Sequence, residues 1–172
     1  MPLPDALHIA LVTVLSAVLA WAGVSDIISR RIPNLAVLAL IGLYAVWAMI
    51  GAGGGLPSAF GAAAIGFAVG YGLYLFKVMG AGDVKLFAAT ALFTGLSYLP
   101  LFALATVLTG GAIALVSLAT RPRRALAMWS LRGKGDFGRG IPYGVAIAVG
   151  GGFVLWGALS RMLPADILTA HP

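Results

Sequence analysis

The chain of 172 residues is strongly apolar, with 61% hydrophobic and only 9% charged residues and a net charge of +6. Soluble domains are roughly 45–50% apolar and about 25% charged, so this composition excludes a water-soluble globule. It also excludes intrinsic disorder, which requires low hydrophobicity. In the small polytopic membrane protein that remains, a positive charge indicates cytoplasmic loops and anionic lipid as partners rather than nucleic acid.

Six apolar segments are candidate membrane-spanning helices, since crossing a bilayer takes roughly 20 apolar residues. In chain order they cover residues 6–25, 35–50, 56–76, 84–99, 101–119 and 141–159. The segment 120–140 is a basic loop that is too short to fold alone. We therefore predict one transmembrane domain over residues 1–172, an all-α bundle of six helices.

Basic residues mark one side of this predicted bundle. Only Arg161 lies on the other side, while ten of the eleven lie in or beside the connections on one side, at Arg30, Arg31, Lys77, Lys85, Arg121, Arg123, Arg124, Arg132, Lys134 and Arg139. The positive-inside rule makes the side with the ten cytoplasmic and puts both termini outside. The same basic loops are expected to contact anionic lipid headgroups.

The chain contains no glutamate, so any carboxylate chemistry must come from five aspartates. Asp5 and Asp166 lie in the predicted outer tails and Asp136 lies in the basic loop, where a solvated acid is ordinary. Asp26 and Asp83 instead meet the cytoplasmic edge of an apolar span, where an ionisable group is costly and usually functional. Both have the same predicted depth, so their carboxyl groups can meet and share a proton.

Two carboxyl groups that share a proton have the chemistry of an aspartic protease. One takes a proton from water while the other protonates the scissile carbonyl, and neither a metal nor a cofactor is needed. Gly80 and Gly82 predict an open turn that lets a peptide backbone approach, and Asp83 is placed to cap the fourth span. Lys85 either marks the membrane boundary or tunes Asp83.

Three motifs carry a resemblance to a known family. They are Gly80-Ala81-Gly82-Asp83-Val84-Lys85, the upstream Asp26 with Ile32-Pro33-Asn34, and Ile141-Pro142-Tyr143-Gly144 at the last span. In their order and topology they resemble the type IV prepilin peptidases, which are GxGD-type intramembrane aspartic proteases. The resemblance implies that Asp26 and Asp83 are the catalytic pair, with Gly80, Gly82 and Lys85 around the active-site turn.

The resemblance also implies a substrate and a location. The expected substrate is a prepilin or pseudopilin, cut at the cytoplasmic face of the bacterial inner membrane. The family removes a short basic leader just after a glycine, ahead of the hydrophobic helix of the substrate.

Larger members of that family have paired zinc-binding cysteines in a cytoplasmic insertion, and they also methylate the new amino terminus. This chain has no cysteine and only a short turn after Asp26. It therefore resembles the small peptidase-only branch that serves Flp-type (tight-adherence) pili. No methyltransferase activity, metal or cofactor is expected.

Three other interpretations stay open. A presenilin-like GxGD protease would pair its aspartate with a Tyr-Asp motif, whereas Ser25 precedes Asp26. A small transporter or proton carrier would place its acids nearer mid-span, whereas both acids here lie at one face. A non-enzymatic assembly partner could share the fold, although the presence of both aspartates argues against it.

Overall fold

The computed structural model describes residues 6–49, 55–120 and 143–159, and within these ranges every regular element is an α-helix. The helices are α1 (Ala6–Ser29), α2 (Asn34–Met49), α3 (Leu56–Leu75), α4 (Ala81–Thr120) and α5 (Tyr143–Leu159). Three helices are long and apolar enough to cross a membrane, over Leu7–Ser29, Leu56–Leu75 and Ala81–Ser117, and two shorter ones are also apolar. The predicted all-α class is thereby confirmed. Residues 121–140 of the predicted basic loop and both chain ends lie outside the described ranges.

Helix α4 reverses direction part-way along its length. Its backbone leaves the helical conformation at Gly95, where φ is 60° and ψ is −178°, a region essentially restricted to glycine. The rings of Phe87 and Phe102 stack with their centroids 4.5 Å apart, whereas a continuous helix would separate them by about 22 Å along its axis. Residues 81–94 and 96–120 are therefore two antiparallel arms.

The reversal comes earlier than the predicted boundary at residue 100, because a contact with another helix fixes it. The Leu96 N–H at the start of the second arm donates a hydrogen bond to Ser58 Oγ of α3 at 3.0 Å. A Cβ at residue 95 would also lie 3.0 Å from that oxygen. Pro100, at the predicted boundary, lies inside the second arm.

The apolar core lies between α1, α2, α4 and α5. Its largest fully buried side chains are Trp47, Phe102, Leu15, Leu19, Leu40, Leu86, Ile147, Leu155, Val12 and Val154. Helix α3 packs against α4 through Gly66 and Gly70, whose GxxxG spacing lets helix backbones approach closely. A Cβ at Gly66 would lie 3.1 Å from the Phe87 ring, and one at Gly70 would lie 3.1 Å from Val84.

Glycines of α5 allow an equally close approach to both arms of α4. A Cβ at Gly150 would lie 2.6 Å from Thr106 Oγ1 and 2.9 Å from the Thr106 backbone nitrogen. A Cβ at Gly151 would lie 2.7 Å from Thr90 Cγ2. No side chain fits at either position without a shift, so these contacts fix α5 against α4.

Removing the Ser58 hydroxyl should destabilise the reversal at Gly95. The variant Ser58→Ala takes the partner away from the Leu96 N–H, and loss of such a helix cap costs about 0.5–2 kcal/mol. Ser97→Ala is the matched control, because Ser97 is exposed and its hydroxyl makes no hydrogen bond to the described residues. Thermal unfolding in detergent, followed by tryptophan fluorescence, should give a lower Tm for Ser58→Ala. Equal Tm values for the two variants would contradict the capping role.

Candidate active site

Asp26 lies within α1, because the helix continues past the predicted end at residue 25 and stops at Ser29. The segment Asp-Ile-Ile-Ser contains no glycine or proline that would end it sooner. The side chain is only 7% exposed, and its Oδ2 accepts a hydrogen bond from the Gly144 N–H at 2.9 Å. Gly144 is in the first turn of α5, where backbone N–H groups have no partner within the helix. The Asp26 carboxylate supplies one.

Asp83 lies in the first turn of α4, which begins at Ala81 and not at the predicted Val84. The residue before the helix, Gly80, accepts a hydrogen bond from the Val84 N–H at 3.2 Å. Its own N–H donates to Asp83 Oδ2 at 3.1 Å. This is the acidic half of a capping box, so Asp83 stabilises the start of α4 from the third position of the helix and not as the predicted N-cap residue.

The predicted open turn includes Gly80 but not Gly82, because Gly82 already belongs to helix α4. The approach of a peptide backbone to this turn stays a prediction. Other atoms do lie close to both glycines, but these atoms belong to this chain and not to a substrate. A Cβ at Gly80 would lie 2.9 Å from Asp83 Oδ2. A Cβ at Gly82 would lie 3.2 Å from the Cβ of Ile32, which is in the linker between α1 and α2.

Two serines near the end of α1 hold this linker in place. The Ser25 hydroxyl donates to the Arg31 carbonyl at 3.0 Å. The Ser29 hydroxyl donates to the Ser25 carbonyl at 2.7 Å, and its oxygen lies 3.4 Å from the Arg31 carbonyl oxygen. The next residue is Ile32, which the folded-back linker places against Gly82. The motif that follows Asp26 in the sequence therefore contacts the motif that contains Asp83.

These contacts bring the end of α1, the start of α4 and the start of α5 to one end of the helix bundle. Asp26 and Asp83 both lie there, close enough for the charge of Asp26 to act on the Asp83 carboxyl group. The positive charge of Arg30, one helical turn after Asp26, acts on Asp26 as well. Paired carboxyl groups are a common source of acid and base for proton transfer to and from water.

Of the other residues near the two aspartates, Gly144 contacts a carboxyl group and Lys85 does not. Lys85 is exposed, and within the part of the chain that the structure describes no ion pair joins it to Asp83. Gly144 has no predicted role, and only its place in the motif at the last span points to it.

Among the described residues, no cluster of three or more His, Asp or Glu side chains could hold a metal ion.

A sequence model of the type IV leader peptidase family matches residues 13–115. The matched region contains Asp26 and Asp83, while the other three acids, Asp5, Asp136 and Asp166, lie outside it. No curated protein and no solved structure matches the chain.

The contact between Ile32 and Gly82 can be tested by a disulfide, since the chain has no cysteine of its own. Ile32→Cys combined with Gly82→Cys places the two Cβ atoms about 3.2 Å apart, near the roughly 3.5–4.5 Å of a disulfide. We expect oxidation to protect both thiols from a maleimide–polyethylene glycol gel shift.

Ile32→Cys combined with Gly72→Cys is the matched control for this disulfide. A Cβ at Gly72 has no atom within 4 Å, so its thiol should stay reactive. Free thiols in the Ile32–Gly82 pair after oxidation would contradict the arrangement of the linker described above.

Proposed function

Because the chain belongs to the type IV leader peptidase family, we propose that it removes leader peptides by aspartic protease chemistry, with Asp26 and Asp83 as the catalytic pair. Family membership makes the chain a peptidase. One observation carries the assignment of the pair: the two acids within the matched region lie at the same end of the bundle. In each of them, Oδ2 is held by a backbone N–H at the start of a helix.

In the proposed reaction, one aspartate is ionised and the other is protonated. The ionised carboxylate takes a proton from water, whose oxygen attacks the carbonyl carbon of the scissile peptide bond, while the protonated aspartate gives its proton to the carbonyl oxygen. The resulting tetrahedral diol collapses as the first aspartate returns its proton to the amide nitrogen and the second aspartate takes a proton back from one of the diol hydroxyls. The carbon–nitrogen bond breaks, releasing an amine and a carboxylic acid.

The two backbone hydrogen bonds give this chemistry a fixed geometry. Gly144 orients Asp26, and Gly80 orients Asp83, each through one carboxyl oxygen. In the proposed reaction, the second oxygen of each group is the one that exchanges protons with water and substrate. Such pre-organisation lowers the entropic cost of bringing water, carboxyl groups and peptide together.

The proposed substrate class is the Flp-type prepilin, with its short basic leader. The linker between α1 and α2 supports the peptidase-only branch, since α1 ends at Ser29 and α2 begins at Asn34. There is no room between them for a zinc-binding insertion, and the chain has no cysteine to build one. We therefore propose that the product amine is left unmethylated and that no cofactor takes part.

The proposed arrangement in the bacterial inner membrane has six spans, with the aspartates at the cytoplasmic face and both termini outside. The reversal of α4 at Gly95 supports it by dividing the longest helix into two arms. The basic residues Arg30 and Lys77, which follow α1 and α3, are consistent with a cytoplasmic end there. Anionic headgroups are the proposed lipid partners of the basic connections.

The catalytic pair can be tested with isosteric amides. Asp26→Asn and Asp83→Asn keep an oxygen that accepts the backbone N–H but lose the acid–base group, whose contribution is typically about 10²–10⁴-fold in rate. Cleavage of a co-expressed Flp-type prepilin, measured as a gel shift, should fall by that factor in each variant. Mass spectrometry of the wild-type product should show an unmethylated amine.

Asp5→Asn is the matched control for the amide variants, because Asp5 lies outside the matched region. It should cleave at the wild-type rate and reach the membrane in equal amounts. Full activity in Asp26→Asn or Asp83→Asn would rule out the two-aspartate mechanism. A wild-type enzyme that cleaves other prepilins but no Flp-type substrate would overturn only the choice of branch.

The orientation can be tested with single cysteines in this cysteine-free chain. In spheroplasts, a membrane-impermeant maleimide should label Leu3→Cys and Thr169→Cys, and it should label Ser130→Cys only after permeabilisation. This pattern follows from an even number of spans with the basic loop inside. Labelling of Ser130→Cys in intact spheroplasts would show that the orientation is inverted.

A further inference from the structure

Helix α5 contacts both helices that carry the proposed catalytic aspartates. On the α1 side, a Cβ at Gly23 would lie 3.5 Å from the Val145 Cα, and Trp156 Nε1 donates a hydrogen bond to Ser16 Oγ at 2.8 Å. On the α4 side, Gly150 and Gly151 form the close contacts with the two arms described above. The position of Asp26 relative to Asp83 therefore depends on α5.

The first turn of α5 is the point where this helix reaches a carboxyl group. Gly144 donates its N–H to Asp26 Oδ2 at 2.9 Å. A Cβ at Gly144 would lie 2.9 Å from Asp26 Cβ, 3.0 Å from Oδ2 and 3.2 Å from Cγ. Real Cβ atoms keep a longer distance from such neighbours, so any side chain at residue 144 must push Asp26 away.

We propose that Gly144 is a positioning residue, whose N–H and lack of a side chain hold the Asp26 carboxylate at its working distance from Asp83. The proposal rests on the proposed function, since it concerns the same aspartate pair. Gly144 acts through Asp26 and has no need to touch the substrate. Its effect is on the rate of the chemical step rather than on substrate binding.

The expected effect follows from the sensitivity of such pairs to distance. A misplacement of about 1 Å can lower a rate by about 100-fold. Gly144→Ala should therefore lower kcat for prepilin cleavage by about 100-fold and leave KM unchanged. A purely structural role would instead lower the Tm and the yield of folded protein.

Gly152→Ala is the matched control, because it makes the same change in the same helix where a Cβ would meet no atom within 4 Å. It should keep the wild-type kcat, KM and Tm. Kinetics and thermal unfolding of both variants are measured in the same detergent, with protein concentration matched.

A second replacement keeps the test informative if Gly144→Ala fails to fold. Cell-free synthesis with glycolic acid at position 144 exchanges the N–H for an ester oxygen and adds no atom that could clash with Asp26. The ester variant should also show a reduced kcat at unchanged KM.

The outcomes separate this proposal from the one on which it rests. A wild-type kcat in both the alanine and the ester variant would overturn the positioning role and leave the aspartate mechanism standing. A fall in both kcat and Tm in Gly144→Ala, together with a wild-type kcat in the ester variant, would also overturn the positioning role. Failure of the wild-type protein to cleave any prepilin would overturn both proposals.

Discussion

The hydrogen bond between the Gly144 N–H and the Asp26 carboxylate joins two groups that are both costly to bury alone. A helix begins with backbone N–H groups that have no partner within it, and a buried carboxylate without a hydrogen bond is strongly unfavourable. Each group satisfies the other at a distance of 2.9 Å. The relative position of α1 and α5 follows from this bond, and so does the placement of the proposed catalytic group.

Asp83 meets the same physical requirement within its own helix, by accepting the Gly80 N–H. The two aspartates thus have a structural role as well as the proposed chemical one. A substitution that removes the carboxyl group but keeps an accepting oxygen separates these roles, whereas alanine removes both. Close packing around them depends on glycine, because helices in lipid associate by backbone approach rather than by the hydrophobic effect.

Local sequence was enough to predict some elements and not others. The bounds of α2 and α3 agree with the prediction to within one residue. Pro33 precedes α2 and Phe76 follows α3, and the chain turns at both places. The two aspartates could be selected by elimination, since the other acids lie in polar segments. The reversal at Gly95 could not be located, because its cap Ser58 is 38 residues away from Leu96. The partner of Asp26 is 118 residues away, and no local pattern encodes such a pair.

The reversal at Gly95 has a consequence for the surrounding bilayer. Residues 81–94 rise by about 21 Å, while the hydrocarbon layer is about 30 Å thick. In the proposed arrangement, which puts Asp83 at the aqueous boundary, this arm ends before the opposite headgroups, and the Gly95 turn lies within the hydrocarbon layer or draws the lipid inward around it. The hydrogen bond from Leu96 to Ser58 makes such a depth tolerable for an exposed backbone. The protein is thus matched to a membrane that thins locally beside its fourth helix, and membrane thickness becomes a variable that acts on this enzyme.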